Sequence, residues 1–287
     1  MHGYRMDCCM IKSYALRLPQ GAQKVASWAG LTLVVTLAFL FIRFYSTLST
    51  SKPVETKDKS KLIAPVETPL PDFTTYTDIP TKKEAFIRYM KPLIAWENRA
   101  IAQDRSRLST LHQNFGIRTP SEKEIAWIES LAVKYRLTPF KVHEETHRET
   151  LLSRVDTIPL ALAMAQAANE SAWGTSRFAR EGNNMFGQWV YGSTDGMVPK
   201  NRDAGSTHKV ARFNSVSESI RSYLFNLNTL WAYEPLRELR KKQRAKGQDP
   251  DGETLALGIG RYSIRGEAYI KEIQQLIRLN TALITQI

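Results

Sequence analysis

Residues 163–174 read AMAQAANESAWG. They close a run of thirteen uncharged residues, Thr157 to Asn169, and at its end stands a single carboxylate, Glu170. The run reads as a helix that surfaces at its last turn: Pro159 suits the first turn, Thr157 or Ile158 its cap, and Gly174 a left-handed stop. Glu170 then falls in the final turn, beside Ala167, Met164 and Trp173 on neighbouring faces. The partial negative charge of a helix C-terminus and an apolar surround both disfavour ionisation, so its pKa is expected to be raised. A carboxyl that keeps its proton near neutral pH is what a general acid for glycoside cleavage requires.

Around this carboxylate the chain continues AQAANESAWGTSRFAREGNNMFGQW from Ala165. It carries A-x-x-E-S-x-W-G, then S-x-x-A, then N-N-x-F-G. This stretch resembles the glucosaminidase domain of glycoside hydrolase family 73, and most closely its bacterial Bax-type members. The resemblance extends through ARFNSVSESIRSYLFNLNTLWAYEPLR and GRYSIRGEAYIKEIQQLIRLN, covering roughly Pro159 to Asn280. It implies a mainly α (α+β) fold, a lysozyme-like helical lobe with a small β-hairpin lobe, and a groove that binds peptidoglycan glycan strands. By position it implies that Glu170 is the catalytic acid, that Tyr262 lies near the groove, and that Trp173, Asn184, Phe186 and Tyr233 shape it. Trp173 and Phe186 read equally well as core. No cofactor is implied.

Local patterns agree with the hairpin. Gly192, Gly196, Pro199 and Gly205 separate QWVY from the alternating HKVARF. Ser215 and Glu218 form a capping box ahead of Val216, Ile220, Tyr223, Leu224 and Leu227, the buried side of a helix. The second carboxylate departs from the family pattern. From Asn183 to Ser217 only Asp195 and Asp203 are present. Either Asp203 positions a water or the substrate's own N-acetyl group attacks the anomeric carbon. Glu181 reads as a solvated loop charge.

Hydrophobic residues make up 43% and charged residues 24% of the 287-residue chain, as in a folded soluble protein, so unusual stretches are local. One of them is VASWAGLTLVVTLAFLFI, eighteen uncharged residues between Lys24 and Arg43. This is close to the minimum for crossing a bilayer as a helix. Arg5, Lys12, Arg17 and Lys24 precede it against Asp7 alone, which keeps the N-terminus in the cytoplasm. FYSTLSTS offers no clear cleavage site, so an uncleaved anchor is favoured over a signal peptide. The expected organisation is a cytoplasmic segment 1–24, a transmembrane anchor 25–44, a Pro/Thr/Lys-rich linker 45–80, a helical extension 81–156 and a catalytic domain 157–287. It places a bacterial protein at the inner membrane by one pass, its C-terminal domain in the periplasm or cell-wall space. Both cysteines, Cys8 and Cys9, fall on the reduced side, leaving the exported part without disulfides.

Of the net charge of +12, residues 1–51 supply +4, leaving +8 for the exported part. That surface attracts anionic envelope polymers. Arg237, Arg240, Lys241, Lys242, Arg244 and Lys246 lack interleaved aromatics and any nucleic-acid motif, so they read as a solvated helix face and no nucleic-acid partner is expected. In the extension, Phe86, Ile87, Met90, Leu93, Ile94 and Ile101 share a helical face, and Ser121 with Glu124 forms a capping box.

A competing motif lies in a third helical segment. His143-Glu144-Glu145-Thr146-His147 is H-E-x-x-H, two zinc ligands one turn apart with Glu144 as general base, and Glu170 at a workable distance for a third ligand. Its setting, KVHEETHRETLLSR, crowds the site with Glu145, Arg148 and Glu149, whereas a metal helix buries its ligand face. Three classes remain open: a cell-wall N-acetylglucosaminidase, with a lytic transglycosylase as its chemical cousin; a zinc metalloprotease; and a silent wall-binding protein.

Overall fold

Leu160–Glu170, the helix predicted from the uncharged run, forms at the centre of the structure, and every residue from Leu162 to Ala168 is buried. A computed structural model describes residues 64–190, 196–199 and 209–287. The predicted cytoplasmic segment 1–24, the anchor 25–44 and the larger part of the linker lie outside the described residues. Among the described residues no helix is long and apolar enough to cross a membrane.

The described helices are α1 (Ile79–Asn114), α2 (Glu122–Lys134), α3 (Glu145–Arg154), α4 (Leu160–Glu170), α5 (Arg177–Gly182), α6 (Val216–Thr229), α7 (Glu234–Ala245), α8 (Gly252–Ala256) and α9 (Glu267–Gln286). One antiparallel pair, β1 (Trp189–Val190) and β2 (Lys209–Val210), sets Trp189 opposite Val210. The architecture is mainly helical with one small hairpin, as the lysozyme-like expectation has it.

Short side chains on α4 let α1, α8 and α9 pack around it. The main core joins Leu162, Met164 and Ala167 to Phe86, Met90 and Ile94 of α1, Ile220 and Leu224 of α6, and Ile273 and Ile277 of α9. The α1 helix, 36 residues and about 54 Å long, continues into a second core with α2 and α3 built on Leu108, Ile128, Leu131 and Leu151. Its start is fixed by Asp78, whose side chain accepts from Thr81 N–H. The Ser121–Glu124 capping box is complete. The second box is modified: Ser215 accepts from Glu218 N–H, but Glu218 reaches back to Asn214 N–H at 2.8 Å.

Two expectations change. The C-terminal part of the predicted linker lies on the fold. Phe73 is fully buried in the main core, Tyr89 donates to the Thr68 carbonyl, and the Glu67 carboxylate accepts from Ser217 N–H at the start of α6. Proline and charge masked the one aromatic that mattered. The basic cluster on α7 is likewise not a uniformly solvated face. Arg240 is 1% exposed and Arg237 5%.

Arg240 donates to the carbonyls of Ser153, Asp156 and Thr157, groups that the end of α3 leaves without helical partners. The Asp156 carboxylate, 2% exposed, is shared by Arg105 of α1 at 3.2 Å, Arg244 at 3.1 Å and Arg240 at 3.6 Å. Burial pulls the Arg240 and Arg105 guanidinium groups below their ordinary range, opposed by the Asp156 charge. Asn98 of α1 clamps Ile158 in both directions, donating to its carbonyl at 2.7 Å and accepting from its N–H at 3.0 Å. The start of α4 is therefore held by α1, α3 and α7 together.

Asp156→Asn should leave Arg240 buried without its counter-charge. We expect a stability loss of about 3–5 kcal/mol in denaturant unfolding. Lys241→Ala, on an exposed position of the same helix, should stay within about 0.5 kcal/mol. Equal small effects would return the cluster to a solvated face.

Candidate active site

The chain after Glu170 turns through three consecutive left-handed residues, Ala172 (φ 49°), Trp173 (φ 57°) and Gly174 (φ 78°). Side chains pay a steric cost in that region, so the turn needs support. Buried Ser171 supplies it: its hydroxyl donates to Ala167 carbonyl at 2.6 Å and accepts from Gly174 N–H at 2.8 Å. Gly174 is required by its neighbour, since a Cβ there would stand 2.4 Å from the Phe73 ring. The turn stops α4 and carries Trp173 edge-on to Phe86, with Lys83 Nζ 5.0 Å from its ring centre. Thus E-S-x-W-G is a device for ending the central helix at a half-buried carboxylate.

Glu170 meets two surfaces. Oε1 accepts from the Tyr269 hydroxyl at 2.7 Å and from Asn169 Nδ2 at 3.3 Å. Oε2 accepts no hydrogen bond among the described residues. It faces Gly187, whose backbone bends through φ 64° so that a methyl group placed there would lie 3.4 Å from Oε2. Burial holds the Glu170 carboxyl above its ordinary range. The hydrogen bonds from Tyr269 and Asn169 and the Arg265 charge oppose it, and Glu272 adds to it.

A tyrosine cluster backs the site. Tyr262 lies parallel to Tyr269 with centroids 5.6 Å apart, and Tyr233 lies 6.0 Å from Tyr262. Burial, then the Glu170 charge, raises the Tyr233 hydroxyl to about 12 and Tyr269 well beyond the ordinary range, so both remain protonated donors. The Tyr262 hydroxyl donates to the Phe186 carbonyl at 2.7 Å, fixing the loop that presents Gly187.

The residues implied by the resemblance divide by role. Glu170, Tyr262 and Tyr233 are brought together. Phe186 is buried and stacked on Tyr223 at 3.9 Å, a core position. Asn184 is 1% exposed and spends its amide on the backbone of the hairpin: it donates to the carbonyls of Gln188 and Ala211 and accepts from Phe186 and Gln188 N–H. Asn184 therefore holds the hairpin. Trp173 flanks a hollow with Asn169, Ala172, Glu272 and Leu276. Glu181 is exposed, 3.6 Å from Arg177. Asp195 and Asp203 lie outside the described residues.

Sequence reasoning missed Tyr269 and its partner Gln166. Tyr269 occupies a core position in the α9 pattern with Ile273, Ile277 and Ile284 and so read as packing. Gln166 was the available signal, a polar amide inside LALAMAQAAN, because a buried amide demands partners.

The H-E-x-x-H motif does not lie on one helical face. His143 and Glu144 precede α3, which begins at Glu145. His147 Nδ1 accepts from Lys141 N–H at 2.9 Å, its ring stacks on Phe140, and the exposed His143 ring packs on Phe115. Among the described residues no group of three His, Cys, Asp or Glu is arranged to hold a metal ion.

Residues 146–282 match the glucosaminidase family model, described as mannosyl-glycoprotein endo-beta-N-acetylglucosaminidase. Protein bax of Escherichia coli (strain K12) is 32% identical over 215 residues, 75% of this chain and 76% of its own length. No solved structure matches. The chain belongs to the glucosaminidase family and is a glycoside hydrolase with a glycan substrate.

A carboxyl that binds its proton more tightly folded than unfolded contributes stability that is fully present below its unfolded value, here 4.5, and is lost as pH rises through its folded value. Glu170→Gln is neutral throughout and still accepts from Tyr269. It should melt above the parent at neutral pH, with the gap closing below about pH 4. A gap independent of pH would contradict the raised pKa.

Proposed function

We propose that this glycoside hydrolase is a membrane-anchored peptidoglycan hydrolase, an endo-β-N-acetylglucosaminidase that cuts β-1,4 bonds in the wall glycan with Glu170 as its general acid. The observation that carries this reading is the half-buried Glu170, raised in pKa by burial and with one oxygen free of hydrogen bonds among the described residues. Burial favours the protonated form of such a group, which can pass its proton to a glycosidic oxygen.

Proton transfer to the leaving oxygen lets the C1–O bond break with its electron pair on that oxygen. The N-acetyl carbonyl oxygen of the sugar then closes on C1, and water opens the intermediate while Glu170 takes back a proton. Asp203 is the rival water-positioning group. The apolar run 25–42, with basic residues before it, supports one inner-membrane pass with the hydrolase in the periplasm or wall space. The +8 on the rest of the chain suits anionic wall material.

Purified peptidoglycan digested by the full-length protein should release fragments with reducing-end GlcNAc, identified by reduction and mass spectrometry. Glu170→Gln should lower the rate by about 10²–10⁴-fold. Anhydro-muramyl ends would make the enzyme a transglycosylase. Wall binding without cleavage by the parent would sink the hydrolase reading.

The substrate-assisted route predicts that Asp203→Asn keeps activity within about tenfold, whereas chemically de-N-acetylated glycan is cut at least about a hundredfold more slowly. The reverse pattern would assign water activation to Asp203.

A further inference from the structure

The two oxygens of Glu170 stand in unequal surroundings, and the cause lies two residues deeper. The Tyr223 hydroxyl donates to Gln166 Oε1 at 2.7 Å, Gln166 Nε2 donates to the Tyr269 hydroxyl at 3.0 Å, and that hydroxyl donates to Glu170 Oε1 at 2.7 Å. We propose that Tyr223, Gln166 and Tyr269 form a directional hydrogen-bond relay that reserves Glu170 Oε1 as an acceptor and leaves Oε2 as the oxygen that delivers the proton. Gln166 and Tyr223 are thus positioning residues that act through Tyr269. The proposal rests on Glu170 being the general acid.

The direction follows from the inventory of protons. A carboxamide has one acceptor end and one donor end, and a phenol has a single proton. With Oε1 of Gln166 receiving Tyr223, Nε2 must turn to Tyr269. With its lone pair so occupied, Tyr269 points its proton at Glu170. Gln166 is 0% exposed and Tyr223 and Tyr269 are 1% each, so water does not substitute for a link. A proton on Glu170 Oε1 would oppose the Tyr269 proton along one line, so the acid proton sits on Oε2, beside Gly187. When it leaves for the glycosidic oxygen, the C1–O bond breaks and Glu170 becomes a carboxylate. The Tyr269 bond is then charge-assisted and shorter-ranged contacts of this kind are the strong ones. It therefore strengthens toward the transition state, as catalysis requires.

Other groups face the same carboxyl. Glu272 is on α9, Arg265 precedes it, Tyr262 and Tyr233 lie behind, and Tyr223 projects from α6. Arg265 and Glu272 pair with each other at 2.6 Å and act on Glu170 in opposite directions, so neither distinguishes its oxygens. Asn169 also bonds Oε1 and sides with the relay.

The test is the pH profile of kcat/KM on purified wall for the full-length protein and for Tyr269→Phe, Gln166→Met, Tyr223→Phe and the Gln166→Met/Tyr269→Phe double variant, each confirmed folded by thermal unfolding. Tyr269→Phe removes a donor to the anion. We expect kcat to fall by about tenfold or more and the alkaline limb, where Glu170 loses its proton, to move to higher pH. Gln166→Met and Tyr223→Phe should move it the same way by less. Because Gln166 acts through Tyr269, the double variant should be no worse than Tyr269→Phe alone. Losses in kcat with an unmoved limb, or additive losses in the double variant, would overturn the relay. Should Gln166→Met fail to fold, Tyr223→Phe reads the same link. Glu170→Gln separates the two readings: its retained activity defeats the general-acid assignment, whereas an inactive Glu170→Gln beside an unmoved Tyr269→Phe limb defeats the relay alone.

Discussion

A helix whose side chains are small or apolar on nearly every face is stable only when enclosed, and α4 is enclosed by α1, α8 and α9. That enclosure orders the rest. Alanines at 163, 165, 167 and 168 allow close approach of the neighbouring helices, and each neighbour must in turn turn an apolar stripe inward. Yet the helix has to end at a carboxylate, which does not tolerate full burial. The left-handed turn at Ala172, Trp173 and Gly174 resolves the conflict by stopping the helix at Glu170 and returning the aromatic side chain to the core.

What could be read from the sequence was what local chemistry determines. The α4 helix, the Ser121–Glu124 box, the hairpin between QWVY and HKVARF, and the place of Glu170 at the helix end each follow from neighbouring residues or from a motif of fixed spacing. What escaped was set by contacts between distant segments. Arg240 looks like any arginine in a basic helix until Asp156, 84 residues earlier, is brought to it. Phe73 sits among prolines and charges and gives no periodic signal. Tyr269 has the spacing of a core residue and is one, while its hydroxyl serves the site. The H-E-x-x-H spacing failed for the opposite reason: it is purely local, and the helix begins at its third residue.

The described residues include no cysteine, so no disulfide fixes their helices. Ion pairs built on buried carboxylates, and amides, hold the register instead. Asp156 with three arginines joins α1, α3 and α7, and the Glu97–Arg221 pair, bonded at 2.8 and 2.9 Å, joins α1 to α6. Such pairs add little net stability against an apolar alternative, but they penalise any arrangement that separates them. Geometry, more than strength, is what they secure.

That geometry reaches Glu170. The α4 helix spans 11 residues, about 16 Å, with the Asp156 cluster and the Asn98 clamp at its start and Tyr269 at its end. A rigid rod fixed at both ends leaves its terminal side chain few options. Burial of Glu170 favours its protonated form, while the donors Tyr269 and Asn169 and the Arg265 charge favour the anion. Burial and hydrogen bonding pull its pKa in opposite directions. A general acid needs both, since a proton held too tightly is not given up and one held too loosely is absent when the glycosidic oxygen arrives.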